Sequence, residues 1–259
     1  MLQAILWDVD GTLAETERDA HRVAFNQAFE AFGLPWHWSV ERYGELLRIT
    51  GGRERILHDM AGRADAPALA GEREQLARDL HARKNTLYAG LLTSRRIALR
   101  PGVADLIDDA QRAGLRQAIV TTTSRVNVDA LLRLQFGVAW HRRFAAVVCG
   151  EDVRDKKPHP EAYEACLRQL AVRPLETVAI EDSPGGVAAA RAAHVPVVVT
   201  RSAYFMSATI DGAIAIGPGL HSCRGWQPRC ALAAADAPVT VDHLRDWHAQ
   251  MESVSQFSG

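Results

Sequence analysis

Residues 4–12 read AILWDVDGT, an apolar run that ends in two aspartates, Asp8 and Asp10, and a Gly-Thr pair. The apolar residues indicate a buried β-strand, on which residues two apart point to the same side. Gly11 lets the chain turn directly afterwards, so both carboxylates fall at the carboxyl end of a parallel strand. Open α/β sheets bind ligands at that end. The motif therefore predicts a site for a metal ion and a phosphate group.

The spacing of the two carboxylates also indicates which metal the site would hold. Close carboxylates repel each other, and burying them without a counter-charge is costly. Mg²⁺ is the predicted cofactor, because it prefers hard oxygen ligands and combines one or two protein carboxylates with substrate phosphate. An isolated Asp-x-Asp motif is also compatible with a solvated strand end, and the motif alone leaves both interpretations open.

Length, composition and charge narrow the class of protein. The chain has 259 residues, 47% of them hydrophobic, and a formal net charge of -1. Such a chain can form one large domain or two smaller ones, and its charge gives no support for nucleic-acid binding. The N-terminus resembles neither a signal peptide nor a membrane span, so we expect a cytoplasmic protein without a membrane partner. The scattered cysteines, Cys149, Cys166, Cys223 and Cys230, favour neither a zinc site nor a disulfide framework.

Four more apolar runs predict buried parallel strands, at residues 117–122, 145–150, 178–182 and 195–200. Helical patterns alternate with them, at residues 103–113, 125–135, 161–170 and 185–193. This alternation predicts an α/β fold, a doubly wound Rossmann-like parallel sheet with helices on both faces. Residues 206–238 show no recognised pattern, and a final helix is predicted at 241–251.

A long helical insertion separates the first strand from the rest of the sheet. Roughly eighty residues without a strand signal precede Arg100, several times the length of an ordinary crossover. Helices are predicted there at residues 18–32, 40–47, 54–61 and 72–92. An insertion of this size predicts a helical cap domain at 17–96 over a core made of 1–16 and 97–259. Hinges are expected near residues 13–17 and 99–102.

The later predicted strands end in groups suited to phosphate and metal, namely Thr122, Thr123 and Ser124, then Lys157, then Glu181 and Asp182. Hydroxyls at the start of a helix can bind an anion together with free backbone amides, although such residues are often only N-caps. A lysine before a proline has a restricted backbone, although surface lysines are commonly solvated. A second acidic strand end can complete a metal site begun by the first.

Taken together, the Asp-x-Asp, Thr, Lys and Glu-Asp strand ends resemble the haloacid dehalogenase superfamily of phosphatases and phosphomutases, over about residues 1–204. The resemblance implies that Asp8 attacks phosphorus to form an aspartyl-phosphate, and that Asp10 acts first as general acid and then as base. It implies that Thr122 and Lys157 hold the phosphoryl group. The implied Mg²⁺ ligands are Asp8, the Asp10 carbonyl and Asp182, with Glu181 as a further metal candidate.

The helical insertion resembles the subgroup that contains β-phosphoglucomutase and the CbbY-like sugar phosphatases. Residues 15–17, 33–38, 50–55 and 81–84 favour the CbbY-like proteins. That resemblance implies a small phosphorylated sugar as partner and, in carbon fixation, removal of the C1 phosphate of xylulose 1,5-bisphosphate, an inhibitor of Rubisco. A phosphomutase and a non-catalytic Mg²⁺-binding regulator are the alternatives.

The predicted substrate-binding residues are Glu17, Thr50, Gly51, Gly52, Arg53, His81 and Lys84 on the cap and Thr123, Ser124 and Arg125 on the core. His81 and Lys84 are three apart and share a helix face. The two glycines permit close backbone approach, and Arg53 can clamp a phosphate with two hydrogen bonds. A solvated helix face and an ordinary first-turn acid at Glu17 are the alternative interpretations.

Overall fold

A computed structural model describes residues 1–231 and 233–256. It contains a six-stranded parallel sheet formed by β1 (Ala4–Trp7), β2 (Arg116–Val120), β3 (Ala146–Val148), β4 (Thr177–Glu181), β5 (Val197–Thr200) and β6 (Ala215–Gly217). The strand order is β3-β2-β1-β4-β5-β6, and every neighbouring pair is parallel. The predicted doubly wound α/β fold is confirmed.

The motif strand β1 lies at the centre of the sheet. Its four residues are fully buried, and Ala4 is in register with Arg116 on one side and Thr177 on the other. The Asp8 backbone N–H still donates to the Ile180 carbonyl at 3.0 Å, so Asp8 extends the strand ladder. The sequence did not predict β6, because three residues between loops carry too little periodicity to reveal a strand.

Each predicted helix is present, with boundaries shifted by a few residues. The cap contains a π-helical turn (Glu17–His21), α1 (Arg22–Ala31), α2 (Val40–Leu46), α3 (Gly52–Ala61) and α4 (Ala70–Ser94). The core contains α5 (Val103–Arg112), α6 (Arg125–Phe136), α7 (Glu161–Leu170), α8 (Pro184–Ala192) and α9 (Val241–Gln256). No helix of the described residues is long and apolar enough to cross a membrane. The cytoplasmic location stays a prediction.

The cap helices surround an aromatic cluster of their own. Phe25, Phe29 and Trp38 pack with ring centroids 4.9–6.4 Å apart, and all three are buried. The Trp38 indole donates to Asp59 Oδ2 at 2.8 Å, which satisfies its one polar atom. This separate cluster agrees with a cap domain at 17–96, although those exact boundaries stay a prediction.

The two predicted hinge segments lie side by side. The Arg100 backbone N–H donates to the Leu13 carbonyl at 2.7 Å, and Ala14 forms an isolated bridge with Leu99. The Arg100 guanidinium donates to backbone carbonyls of the surrounding loops, those of Gly11, Thr200, Arg201 and Pro218. Arg100 therefore connects both hinge segments to the loops at the carboxyl ends of the strands, a role that sequence reasoning missed.

The region without a recognised sequence pattern packs against the core. Trp226 stacks on Trp247 of α9 with 4.8 Å between ring centroids. Cys223, Cys230 and His243 lie close together, but His243 Nδ1 already accepts the Thr240 backbone N–H at 3.0 Å at the start of α9. The imidazole therefore caps a helix, and the cysteines are free thiols.

Candidate active site

Lys157 joins the ends of three strands. Its ammonium donates to Asp8 Oδ1 at 2.8 Å, to Glu181 Oε1 at 2.6 Å and to the Val120 carbonyl at 2.7 Å. The Tyr163 hydroxyl donates to the same Glu181 oxygen at 2.5 Å. Because all these groups are buried, the charge-assisted bonds fix the ammonium beside Asp8.

Three buried carboxylates, those of Asp8, Glu181 and Asp182, have oxygen atoms within 4.8 Å of one another. Burial raises the pKa of Asp8 to about 7, and the charge of Lys157 opposes this shift without cancelling it. Burial and the charge of Asp8 also raise the pKa of Asp182 well above its ordinary value. A cation would relieve both shifts, so these residues fit a divalent metal ion.

Gly11 lets the Asp182 carboxylate approach the first motif. Its φ is +87°, and a Cβ there would lie 2.1 Å from Asp182 Oδ2. Any side chain at this position would displace the carboxylate. Glu181, by contrast, is fully buried and faces Lys157, whereas Asp8 and Asp182 reach the cavity. Glu181 therefore holds Lys157 in place. It belongs to the cluster of three carboxylates but does not line the cavity.

The Asp10 carboxylate turns towards the cap. Its Oδ1 accepts a hydrogen bond from the Thr16 hydroxyl at 2.5 Å and lies 2.8 Å from His21 Nε2. Burial alone would raise the pKa of Asp10, but the charge and hydrogen bond of His21 and the Thr16 and Thr123 hydroxyls lower it. His21 stacks on Tyr88 with 4.3 Å between ring centroids, so packing fixes the imidazole. This arrangement suits a carboxylate that exchanges protons.

The polar segment after β2 lines the same site with Thr122, Thr123 and Ser124. Ser124 precedes α6, and its hydroxyl accepts a hydrogen bond of 3.3 Å from Asn85 on the cap. Asn85 also accepts one of 2.9 Å from Asn127 on α6. The segment therefore combines hydroxyls, a helix N-terminus and a contact with the cap.

Arg125 lies outside the cavity lining. Its guanidinium donates to the Asp152 carboxylate and, at 3.2 Å, to the Val147 carbonyl, and its backbone N–H donates to Glu151. The side chain thus braces the loop after β3. Its predicted contact with substrate is not supported by this placement.

A cavity of about 730 Å³ lies between the carboxyl ends of the strands and the cap. The predicted site residues that line it are Asp8, Asp10, Glu17, Thr50, Gly51, Gly52, Arg53, His81, Lys84, Thr122, Thr123, Ser124, Lys157 and Asp182. Arg48, Arg78, Arg154 and Lys156 line it as well, although they were not predicted. The cavity therefore has a carboxylate-rich inner end and many cationic side chains around it.

The predicted cap cations differ in how firmly they are held. Arg53 is 42% exposed, and its guanidinium lies 3.8 Å from Glu54 and 3.7 Å from Glu74. Lys84 is buried, with its ammonium 5.2 Å from the Phe25 ring centroid and 5.1 Å from that of Tyr88. Burial lowers the pKa of Lys84 to about 7.

His81 packs directly over the glycine pair of the cap. A Cβ on Gly52 would lie 2.7 Å from the His81 ring, so the absence of a side chain makes room for the imidazole. Burial, with the charges of Lys84 and Lys156, lowers the pKa of His81 to about 3. A neutral imidazole at pH 7 can donate or accept a hydrogen bond but adds no charge.

Glu17 belongs to a buried hydrogen-bond chain that sequence reasoning missed. The Tyr43 hydroxyl donates to Glu17 Oε2 at 2.5 Å, and Arg55 donates to the Tyr43 oxygen at 2.8 Å. Tyr43 and Arg55 are buried, so they hold the Glu17 carboxylate at the cavity wall. No local pattern announces such a chain, because its members are 12 and 26 residues apart.

Comparison with known proteins agrees with this geometry. A model of the haloacid dehalogenase-like hydrolase family matches residues 2–194. The chain is 40% identical to protein CbbY of Cupriavidus necator over 247 residues, which cover 95% of this chain and 97% of that protein. It is 46% identical to protein CbbY of Rhodobacter capsulatus over 203 residues, 78% of this chain and 87% of that protein.

A solved structure has a similar overall fold. The crystal structure of a mutant CbbY from Rhodobacter sphaeroides, in complex with xylulose 1,5-bisphosphate, aligns with a TM-score of 0.77 at 43% identity. The alignment covers 82% of this chain and 92% of that chain. Hydrolases of this superfamily are generally metal-dependent. The chain therefore belongs to the haloacid dehalogenase-type phosphoric monoester hydrolases and, among them, to the CbbY proteins.

Proposed function

We propose that this enzyme removes the C1 phosphate of xylulose 1,5-bisphosphate in a Mg²⁺-dependent reaction that passes through an aspartyl-phosphate at Asp8. The observation that carries the proposal is the cavity, which joins the Asp8–Lys157 pair to cationic side chains of the cap. The inner end suits the phosphate that reacts, and the cap suits a second phosphate. The likeness to a CbbY crystallised with xylulose 1,5-bisphosphate supports this choice of substrate.

In the first step the Asp8 carboxylate attacks phosphorus and the bond from phosphorus to the sugar oxygen breaks. The leaving oxygen takes a proton from Asp10, whose Oδ1 lies 2.8 Å from His21 Nε2. Thr122 lines the cavity and can donate to a phosphoryl oxygen, and the Lys157 ammonium, 2.8 Å from Asp8 Oδ1, supplies positive charge beside the reacting group. Phosphoryl transfer depends mainly on this alignment and charge neutralisation.

In the second step a water molecule attacks the phosphorus of the aspartyl-phosphate and gives a proton to Asp10. The bond from phosphorus to the Asp8 oxygen breaks, which releases phosphate and restores the carboxylate. His21 and the neighbouring hydroxyls lower the pKa of Asp10, and this favours the carboxylate form that the step requires. When Mg²⁺ is bound, by Asp8, Asp182 and the Asp10 carbonyl, it supplies positive charge next to the phosphoryl oxygens.

A phosphate-release screen over sugar mono- and bisphosphates, with Mg²⁺ or with EDTA, tests the proposal. We expect the highest kcat/KM for xylulose 1,5-bisphosphate, xylulose 5-phosphate as product, and loss of activity in EDTA that Mg²⁺ restores. Phosphorus NMR of the products separates hydrolysis from transfer to a second hydroxyl. Phosphomutase activity without net phosphate release, or full activity in EDTA, would contradict the proposal.

A further inference from the structure

Lysine is rare in this chain, and its few positions are concentrated at one place. The sequence contains three lysines against 27 arginines, and Lys84, Lys156 and Lys157 all line the cavity. Lys157 is explained by its contact with Asp8, and Lys84 is buried between two aromatic rings. Lys156 makes no contact of this kind with the reacting carboxylates, so its presence calls for a different explanation.

Lys156 reaches across the cavity from the core to the cap. Its ammonium lies 2.7 Å from Glu54 Oε1 in the first turn of α3, with 22% and 33% of the two side chains exposed. The α-carbons of Lys156 and Lys157 are about 3.8 Å apart, as in any trans dipeptide. Of these two neighbouring residues, Lys157 thus contacts Asp8 in the core and Lys156 contacts Glu54 on the cap.

The contact between Lys156 and Glu54 leaves the carboxylate only partly satisfied. Glu54 Oε2 is buried and has no hydrogen-bond partner among the described residues, while Arg53 lies 3.8 Å from Oε1. Gly51, with φ of +94°, provides the space: a Cβ there would lie 2.2 Å from Glu54 Oε2 and 2.7 Å from the Lys156 ammonium. A carboxylate with an orphaned oxygen, between two cations, is readily exchanged for a better anion.

We infer that Lys156 binds the second, non-reacting phosphate of the substrate, and that Glu54 takes the place of this phosphate until it arrives. The inference rests on the proposed function and names the residue that recognises a bisphosphate. A phosphate has three acceptor oxygens and can engage Lys156, Arg53 and the free amides at the start of α3 together. Lysine suits such an exchange, because its ammonium is a point charge on a flexible stem.

Binding measured without turnover isolates this exchange. In an Asp8→Asn background with Mg²⁺, calorimetry compares xylulose 1,5-bisphosphate with inorganic phosphate. Adding Lys156→Met should weaken bisphosphate binding about 100-fold, the value of one charge-assisted contact, and phosphate binding less than about 3-fold. Adding Glu54→Gln should tighten bisphosphate binding several-fold, because the competing carboxylate loses its charge. Arg112→Met removes an exposed cation on α5, outside the cavity lining, and should change neither.

Lys156→Met is expected to weaken bisphosphate binding and Glu54→Gln to tighten it. These opposite effects distinguish phosphate recognition from a purely structural ion pair. If the ion pair only held the cap to the core, both variants would weaken both ligands, and the inference would be overturned. If the wild-type enzyme hydrolyses no sugar bisphosphate in preference to monophosphates, the proposed function fails instead. If the enzyme hydrolyses the bisphosphate but the two variants do not change its binding in opposite directions, only the role inferred for Lys156 is contradicted.

Amine labelling gives a second readout, independent of activity. Lys156 is the partly exposed lysine, whereas Lys84 and Lys157 are buried. A succinimidyl ester, followed by mass spectrometry, should label Lys156, and xylulose 1,5-bisphosphate should protect it in the Asp8→Asn protein. Equal labelling with and without bound bisphosphate would overturn the inference.

Discussion

The core and the cap hold their charged groups in different ways. In the core, Lys157 contacts Asp8 and Glu181 at 2.8 and 2.6 Å, and no side chain in this group is more than 11% exposed. In the cap, Arg53 is 42% exposed and lies 3.7–3.8 Å from its carboxylate neighbours, beyond hydrogen-bond distance. The proposed reacting end is thus organised before substrate arrives, while Arg53, at the proposed binding site for the second phosphate, keeps guanidinium donors that no carboxylate of the described residues occupies.

The core and the cap are expected to use the binding energy of the substrate in different ways. A buried group that short hydrogen bonds hold in place acts on the transition state without moving, which favours rate. An exposed cation that gains its partner only from the substrate contributes to closing the cap and aligning the substrate. Substitutions of Asp8, Lys157 or Glu181 should therefore affect every substrate, whereas substitution of the exposed cap cation Arg53 should affect only substrates with a second phosphate.

The largest effect is expected at Asp8. Asp8→Asn keeps the shape of the side chain but removes the nucleophile, so phosphate release should fall at least about 10⁴-fold for every substrate. Phosphate release and circular dichroism together measure the loss and the integrity of the fold. A variant that still turns over p-nitrophenyl phosphate at a near wild-type rate would show that no aspartyl-phosphate forms at this residue.

The sequence predicted the side chains that line the cavity better than the groups that hold them in place, for a physical reason. Asp8 and Asp10 stand in one local motif whose strand periodicity and Gly exit can be read from nine residues. The groups that orient them come from distant segments: His21 from the start of the cap, and Tyr163 from α7 beside Glu181. Local periodicity carries no information on such pairings.

The same limit applies to the cap and to the C-terminal region. Arg53 follows a Gly-Gly pair that marks close approach, but nothing in the sequence links Glu54 to Lys156, which is 102 residues away. Strand β6 became visible only through its pairing with β5. Helices were predicted well, because most of them extend over ten or more residues, which is long enough for their periodicity to be recognised.

A smaller and more selective effect is expected at Arg53. Arg53→Ala should lower kcat/KM for xylulose 1,5-bisphosphate about 100-fold, because the contact with the second phosphate is lost. Hydrolysis of p-nitrophenyl phosphate should change less than about 3-fold, since this substrate has no second phosphate. Steady-state kinetics on both substrates measure the difference. Equal proportional losses would mean that Arg53 supports the catalytic centre or the fold.

A substitution of Lys84 tests whether burying its ammonium group lowers the stability of the folded protein. Burial lowers the pKa of Lys84 from 10.5 to about 7, so the folded state binds fewer protons than the unfolded state between these pH values. The cost is complete below about pH 7 and disappears as the pH rises to about 10.5. Lys84→Met should therefore raise Tm by about 2–4 °C at pH 6 and leave it unchanged near pH 10.5.

Thermal unfolding followed by circular dichroism at both pH values measures this effect. Arg83→Met is the matched control, because it removes an exposed cation from the adjacent position of α4 and should leave Tm unchanged. A lower Tm for Lys84→Met at pH 6 would mean that the charged ammonium stabilises the cap.

The smallest effect is expected at Arg125, which the sequence places with the substrate and the structure places against Asp152 and Val147. Arg125→Ala should change kcat/KM less than about 3-fold for both xylulose 1,5-bisphosphate and p-nitrophenyl phosphate, because surface ion pairs contribute little. Arg53→Ala, assayed in parallel, supplies the comparison, since both substitutions remove one partly exposed guanidinium. A selective loss on the bisphosphate would show that Arg125 leaves Asp152 when substrate binds. The division between an organised core and a cap completed by the substrate would then have to include the loop after β3.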